Sequence, residues 1–99
     1  MEPTTGRIVL YTLTADNAAR INAARTGQGC GIGNNVHEFD VVPLIIVRVW
    51  PDEGGPGIPG VNGQAILDGN DTFWVTSAYE DCCSAEKPAT GSWKWTTRP

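Results

Sequence analysis

The side chains best suited to chemistry in this chain are Cys30, His37, Cys82 and Cys83, as zinc ligands or as a nucleophile with its base. A structural zinc takes four nitrogen or sulfur ligands in a tetrahedron, and such sets are built from C-x₂₋₄-C knuckles. No knuckle is present here. An adjacent Cys82-Cys83 pair seldom aims both sulfurs at one ion, so these residues are expected to be buried or half-buried free thiols. Three cysteines, two of them neighbours, make a poor disulfide framework and suit a reducing compartment. His37 is the sole histidine and has no matched serine or cysteine motif, so a nucleophilic triad is not indicated.

Two other stretches invite a ligand. Asp68-Gly69-Asn70-Asp71 begins like a calcium loop, but Phe73 stands where the invariant glycine belongs and Tyr79 where the bidentate glutamate belongs, leaving a hairpin turn. Gly27, Gly29, Gly31 and Gly33 alternate with Gln28, Cys30 and Ile32, yet phosphate loops link a strand to a following helix in the order G-x-G-x-x-G or G-x-x-x-x-G-K-[ST]. Here the glycines follow the helical stretch, so they read as a loop. Glu80 and Asp81 point to opposite sides of an extended segment and do not form a glycosidase pair. The chain is therefore expected to be no enzyme, with no metal and no cofactor.

The positive signal is aromatic. Trp50, Trp74, Trp93 and Trp95, with Tyr11 and Tyr79, exceed the two or three rings that a small barrel core takes, although each ring alone reads first as core. Rings left outside would carry binding energy, so Trp50, Trp74, Tyr79, Trp93 and Trp95, together with Arg48, are the candidate partner-binding residues. Trp93 and Trp95 are two apart and share a face if they lie in a strand.

These side chains must be positioned by short elements. Gly6 to Leu13 reads as a first strand, with Val9, Tyr11 and Leu13 on one face and Ile8, Leu10 and Thr12 on the other, so that both faces are partly apolar and covered. Thr14 is a candidate N-cap for a helix over Ala15 to Arg25, whose stripe is Ala18, Ile21, Ala24 and the stem of Arg25. Such a helix is marginal alone and must lie on the barrel or on a partner. Pro43 to Trp50 forms the second strand, with Ile45, Val47 and Val49 alternating against Ile46, Arg48 and Trp50. Proline is tolerated at its start because that position need not donate to a ladder. Pro51 to Gly60 is an exposed loop; Asp52 to Gly60 and Gly27 to Asn35 could order on docking. Val61 to Leu67, Thr72 to Ala78 and Ser92 to Thr96 complete five strands.

One domain is expected over 1–99: an all-β, small SH3-like barrel of about five strands, with a short helix and Gly-rich insertion at 14–42 after the first strand. An OB-fold is the main alternative, and the helix position argues against it. The length supports one core, since folding such a chain removes very roughly 60 to 70 per cent of its unfolded surface. An apolar fraction of 40% with 18% charged residues suits an ordered globule, and 12 Gly with 7 Pro point to many turns. A net charge of −4 with scattered basic residues argues against nucleic acid, although Arg7, Arg48, Lys94 and Arg98 would form a local patch if their strands are neighbours. The chain lacks an apolar leader and a membrane-length apolar run, so a soluble, unsecreted protein is expected.

Six phrases in order along the chain resemble a group of small proteins of tailed bacteriophages and prophages: Gly6-Arg7-Ile8-Val9-x-Tyr11, Pro43-x-Ile45-Ile46-Val47-Arg48-Val49-Trp50, Val61-Asn62, Leu67-Asp68-Gly69, Trp74-Val75-Thr76-Ser77 and Gly91-Ser92-Trp93-x-Trp95. They cover about half the chain and are strand motifs without catalytic content; Thr14 to Val42 departs from the pattern. The resemblance implies a phage-encoded β-barrel attached to the virion head, a capsid decoration or minor capsid protein bridging neighbouring major capsid subunits in many copies. The alternatives are an intracellular adaptor binding a host protein or nucleic acid, and a tail or connector component.

Overall fold

The computed structural model describes residues 3–27, 35–69, 71–81 and 90–96. Its elements are β1 (Ile8–Thr12), α1 (Ala15–Gly27), β2 (Val41–Trp50), β3 (Gly60–Ile66), β4 (Thr72–Glu80) and β5 (Ser92–Lys94). The strands close a barrel in the order β1-β2-β3-β4-β5, antiparallel throughout except for the parallel β4–β5 contact. Each strand neighbours the next in sequence, which is not the Greek-key order of an OB-fold. The expected small all-β barrel with its helix after the first strand is the fold.

The helix begins as its sequence requires. Asn17 donates its N–H to Thr14 Oγ1 at 2.9 Å, and Thr14 donates its own N–H to Asn17 Oδ1 at 3.0 Å, a reciprocal cap. The buried Tyr11 hydroxyl donates to the same Asn17 oxygen at 2.7 Å, and burial raises the phenol's pKa above its ordinary value. Ala18, Ile21 and Arg25 are buried, whereas Ala24 is exposed, so the stripe runs i, i+3, i+7 and Ala24 falls off it. Asn22 replaces Ala24 as an anchor. Its Nδ2 donates to Val36 O at 2.8 Å while Val36 donates its N–H to Asn22 Oδ1 at 3.1 Å. The insertion after the helix stops short of Val42, because β2 already starts at Val41.

Pro43 lies within β2 rather than at its first residue. Ile46 donates its N–H to Arg7 O at 2.9 Å, so antiparallel alternation makes Leu10–Pro43 a non-hydrogen-bonded pair. The proline nitrogen therefore faces the β3 side, where the ladder begins only at Leu44↔Ala65. No donor is needed there.

Val9 and Tyr11 from β1 and Leu13 just after it are buried with Leu44, Ile46, Val61, Ala65, Val75, Ala78 and Trp93, and the helix contributes Ala18 and Ile21 to this same core. The second face of β1 is not uniformly covered, since Ile8 is exposed while Thr12 is buried. Gly63 sits at the β2 bulge, tight against the backbone of β2. A Cβ there would collide with the Ile45 carbonyl oxygen, which backbone pairing prevents from moving aside. Gly63→Ala is expected to destabilise the fold by about 1–3 kcal/mol, the usual cost of overpacking, as read by denaturant unfolding; an unchanged midpoint would show that the strands separate freely here.

Candidate functional site: the outer face of β2, β3 and β4

Two bulges, both beside Asn62 and Gly63, decide what the barrel shows to solvent. In β2, the pairing passes from Ile46↔Gly63 to Arg48↔Asn62, leaving Val47 as an extra residue. In β4, it passes from Val61↔Ala78 to Gly63↔Val75, so Asn62 alone opposes Thr76 and Ser77. Ser77 takes a left-handed φ of 56° and donates its N–H to Asn62 Oδ1 at 2.9 Å, which fixes the second bulge.

An extra residue inverts the two-residue period of a strand. Ile46 is buried, and a regular strand would carry Arg48 and Trp50 into the core with it. The bulge instead turns Val49 inward against the core and sends Arg48 and Trp50 outward. This corrects the expectation that Ile46, Arg48 and Trp50 share a face. Val75 and Ala78 are both buried for the same reason, and Tyr79 is turned out.

Paired residues point to the same side of a sheet, so the registers assemble three rows on the outer face. Ile8, Ile45, Gln64 and Trp74 form the first row, from β1 to β4. Arg48 and Asn62 form the second, ending at Ser77. Trp50, Gly60 and Tyr79 form the third. Trp74, Trp50 and Tyr79 are 46%, 40% and 36% exposed. Four of the six candidate partner-binding residues, Arg48, Trp50, Trp74 and Tyr79, thus share one face.

The other two do not. Trp93 is 0% exposed, the largest fully buried side chain, and leaves no surface for a partner; it is a core residue, correcting the expectation. Trp95 packs edge-on to Trp93, with centroids 5.2 Å apart and rings at 89°, and its position is partly buried. The Arg7 guanidinium lies 5.5 Å from its centroid. Arg48 lies 4.5 Å from the Trp50 centroid, so these two arginines serve separate rings instead of one basic patch. Arg98 lies outside the described residues.

The 51–59 loop frames the third row. Gly54 donates its N–H to Ile58 O at 3.0 Å, Ile58 donates to Gly55 O at 3.0 Å, and Gly57 donates to Asp52 Oδ1 at 2.9 Å. Its hydrogen bonds are made within the free chain.

Among the described residues, the other candidates form no reaction centre. Cys30, Cys82 and Cys83 and the glycines at 29, 31 and 33 lie outside the described residues, as does Asn70 of the hairpin turn. His37 is exposed beside Asp40. Among the described residues, no three His, Cys, Asp or Glu side chains gather as a metal site, and no helix is long and apolar enough to cross a membrane. A groove of about 280 Å³ runs between the start of β2 and the end of β3, past Val41, Pro43, Ile66 and Asp68. Another of about 340 Å³ is walled by Pro3, Val49, Pro51 and Pro59. Among the described residues that line them, neither gathers a nucleophile with a base.

Sequence reasoning missed a structural ion pair that ties the helix to the hairpin turn. Arg25 on α1 places Nε 2.8 Å from Asp71 Oδ2 and Nη2 2.9 Å from Asp71 Oδ1, with Asp68 Oδ1 at 3.8 Å, and its side chain is only 7% exposed. The hydrogen bond from Arg25 lowers the pKa of Asp71 below the ordinary carboxylate value and raises that of Arg25. The turn that resembled a calcium loop holds a guanidinium instead. No family model matches the chain, and neither does any curated protein or solved structure.

Proposed function

We propose that this chain is a non-enzymatic structural protein of a tailed-phage particle, a capsid decoration or minor capsid protein whose barrel docks on neighbouring major capsid subunits through the outer face of β2, β3 and β4. The observation that supports this reading is the pair of bulges: they hold Trp50 and Tyr79 in solvent where a regular strand would bury them. Turning large rings outward forgoes hydrophobic stabilisation of about 1.5–3 kcal/mol for a large apolar side chain, a cost that a docking surface recovers when it is covered. The Arg48–Asn62–Ser77 row between the aromatic rows supplies polar contacts that set register. Each copy adds a modest contact, and repetition over a shell multiplies it.

Purified, salt-washed particles of the encoding phage are expected to contain the chain in a fixed ratio to the major capsid protein, as measured by quantitative mass spectrometry. Absence from washed particles, with the chain recovered among soluble proteins of infected cells, would overturn the reading in favour of an intracellular adaptor.

A further inference from the structure

Arg20 is paired with Asp16 at 2.9 Å and Arg25 with Asp71 at 2.8 Å. Arg48, exposed in the middle row of the outer face, has no such partner. Among the described residues it makes no hydrogen bond and no ion pair, although the chain carries 11 acidic residues against 7 basic ones. Its guanidinium carbon lies over the Trp50 ring, 4.5 Å from the centroid. The ring steadies the cation but supplies no oxygen for its five N–H donors. Cross-strand from Arg48 stands Asn62, whose Oδ1 accepts the Ser77 N–H at 2.9 Å. That bond fixes which way the amide points and leaves the Nδ2 hydrogens without an acceptor among the described residues. The Glu53 carboxylate lies over Gly60, where a Cβ would collide with it; it accepts a hydrogen bond from Ser77 Oγ at 2.8 Å and forms no ion pair with Arg48. The middle row therefore presents two adjacent donor groups that the chain itself leaves unmet.

We infer that Arg48 and Asn62 form the receptor for an acidic side chain, aspartate or glutamate, presented by the partner protein. A carboxylate brings two oxygens, which suits a guanidinium edge with an amide donor beside it, and the bonds are charge-assisted. Trp50 holds the guanidinium in place before docking, so less side-chain freedom is lost when the bond forms. A partner lysine or arginine would set donors against donors and charge against like charge, while an aliphatic side chain would leave the guanidinium covered and unpaired. The apolar rows on either side complete the pattern. Along β3 the three rows pass through Gln64, Asn62 and Gly60, two residues apart, so they stand about 6.8 Å from one another. An extended partner segment with apolar side chains two residues before and after its acid matches that spacing, one against the Trp74 row and one against the Trp50–Tyr79 row. The inference rests on the outer face being a docking face and names the charge that this face reads.

The test uses the purified full chain and synthetic peptides, so its result does not depend on particle attachment. N-acetyl-leucyl-seryl-glutamyl-seryl-leucinamide and its glutamine counterpart are titrated at constant ionic strength while the Arg48 Nε–H, Asn62 Nδ2 and Trp50 indole resonances are followed by NMR. The glutamyl peptide is expected to shift all three saturably. The glutaminyl peptide is expected to bind at least about fivefold more weakly, a difference of roughly 1 kcal/mol. Arg48→Gln keeps a donor and removes the charge, and it is expected to lower the affinity for the glutamyl peptide to that for the glutaminyl one. The same spectra report whether the variant is folded. Equal binding of both peptides, no saturable shift with either, or an Arg48→Gln chain that binds the glutamyl peptide as tightly as the parent would overturn the receptor. Attachment through the outer face would still stand, since particle binding reads it separately.

Discussion

Asp71→Ala is expected to lower the stability of the barrel by about 3 kcal/mol, because it removes the carboxylate bonded by both Nε and Nη2 of Arg25 in a site that is almost closed to water. The lower end of the range for breaking a buried pair applies, since Asp71 itself keeps some contact with solvent and Asp68 stays 3.8 Å away. Removing both charges is a different matter. Arg25→Met with Asp71→Leu removes both members of the buried pair and leaves the exposed Asp68 carboxylate to water, so the double variant is expected to recover most of the loss, as read by urea unfolding of all four chains. A double variant as unstable as Asp71→Ala would show that the pair contributes through shape instead of charge.

The pair also fixes the sign of the acid response. Asp71 ionises below its ordinary value in the folded state, so between the two values the unfolded chain binds more protons and stability rises with pH. The contribution is fully present above the unfolded value near 3.8 and is lost as pH falls through the folded value. Asp71→Asn is therefore expected to lose less stability than the parent chain on acidification below about pH 4.

Trp93→Ala is expected to cost about 3–5 kcal/mol, enough to unfold much of the population in a domain of this size. Trp93 is wholly buried, supports Trp95 edge-on, and pairs through its backbone with Tyr11 and Glu80, so the cavity left behind cannot collapse without moving β5. Among the described residues its indole Nε1 has no hydrogen-bond partner, which carries a standing penalty. Trp93→Phe deletes that orphan N–H together with some volume, and it is expected to retain well over half of what alanine loses. Thermal and urea midpoints of the two variants check both statements; equal losses would mean that the indole nitrogen is satisfied in solution.

The fold was legible because its strand phrases are β-branched or aromatic and end at Gly or Pro, and because Thr14 announces the helix. What escaped was whatever depends on a neighbour. Counting by twos along Pro43 to Trp50 runs straight through Val47, since nothing in that residue's type marks it as an extra one; the bulge exists only relative to β3. Ser77 and Phe39 hold left-handed φ values of 56° and 73° without being glycine or asparagine, so residue type gives no warning of either. Arg25 and Asp71 stand 46 positions apart, and Asp71 looks like an ordinary turn residue until the hairpin is brought against α1. Trp93 and Trp95 carry identical side chains two positions apart. Only the end of β5 at Lys94 separates the core ring from the one packed against its edge.

Glu53 illustrates the same limit at the candidate site. In the sequence it belongs to a stretch of Asp, Glu, Gly and Pro that reads as a solvated loop. Its placement over Gly60 follows from the hydrogen bonds that fold 51–59 back on itself and from the Ser77 conformation, neither of which has a sequence signature.

Binding of the chain to particles stripped of it, compared between the parent and Trp50→Ala/Trp74→Ala, tests the docking face most directly. Both rings are substantially exposed, so the double variant is expected to keep its unfolding midpoint within a few degrees. It is also expected to bind at least about 30-fold more weakly, the effect of losing about 2 kcal/mol at an interface anchor. A folded double variant that binds the particles as tightly as the parent chain would contradict the assignment of this face as the surface that docks.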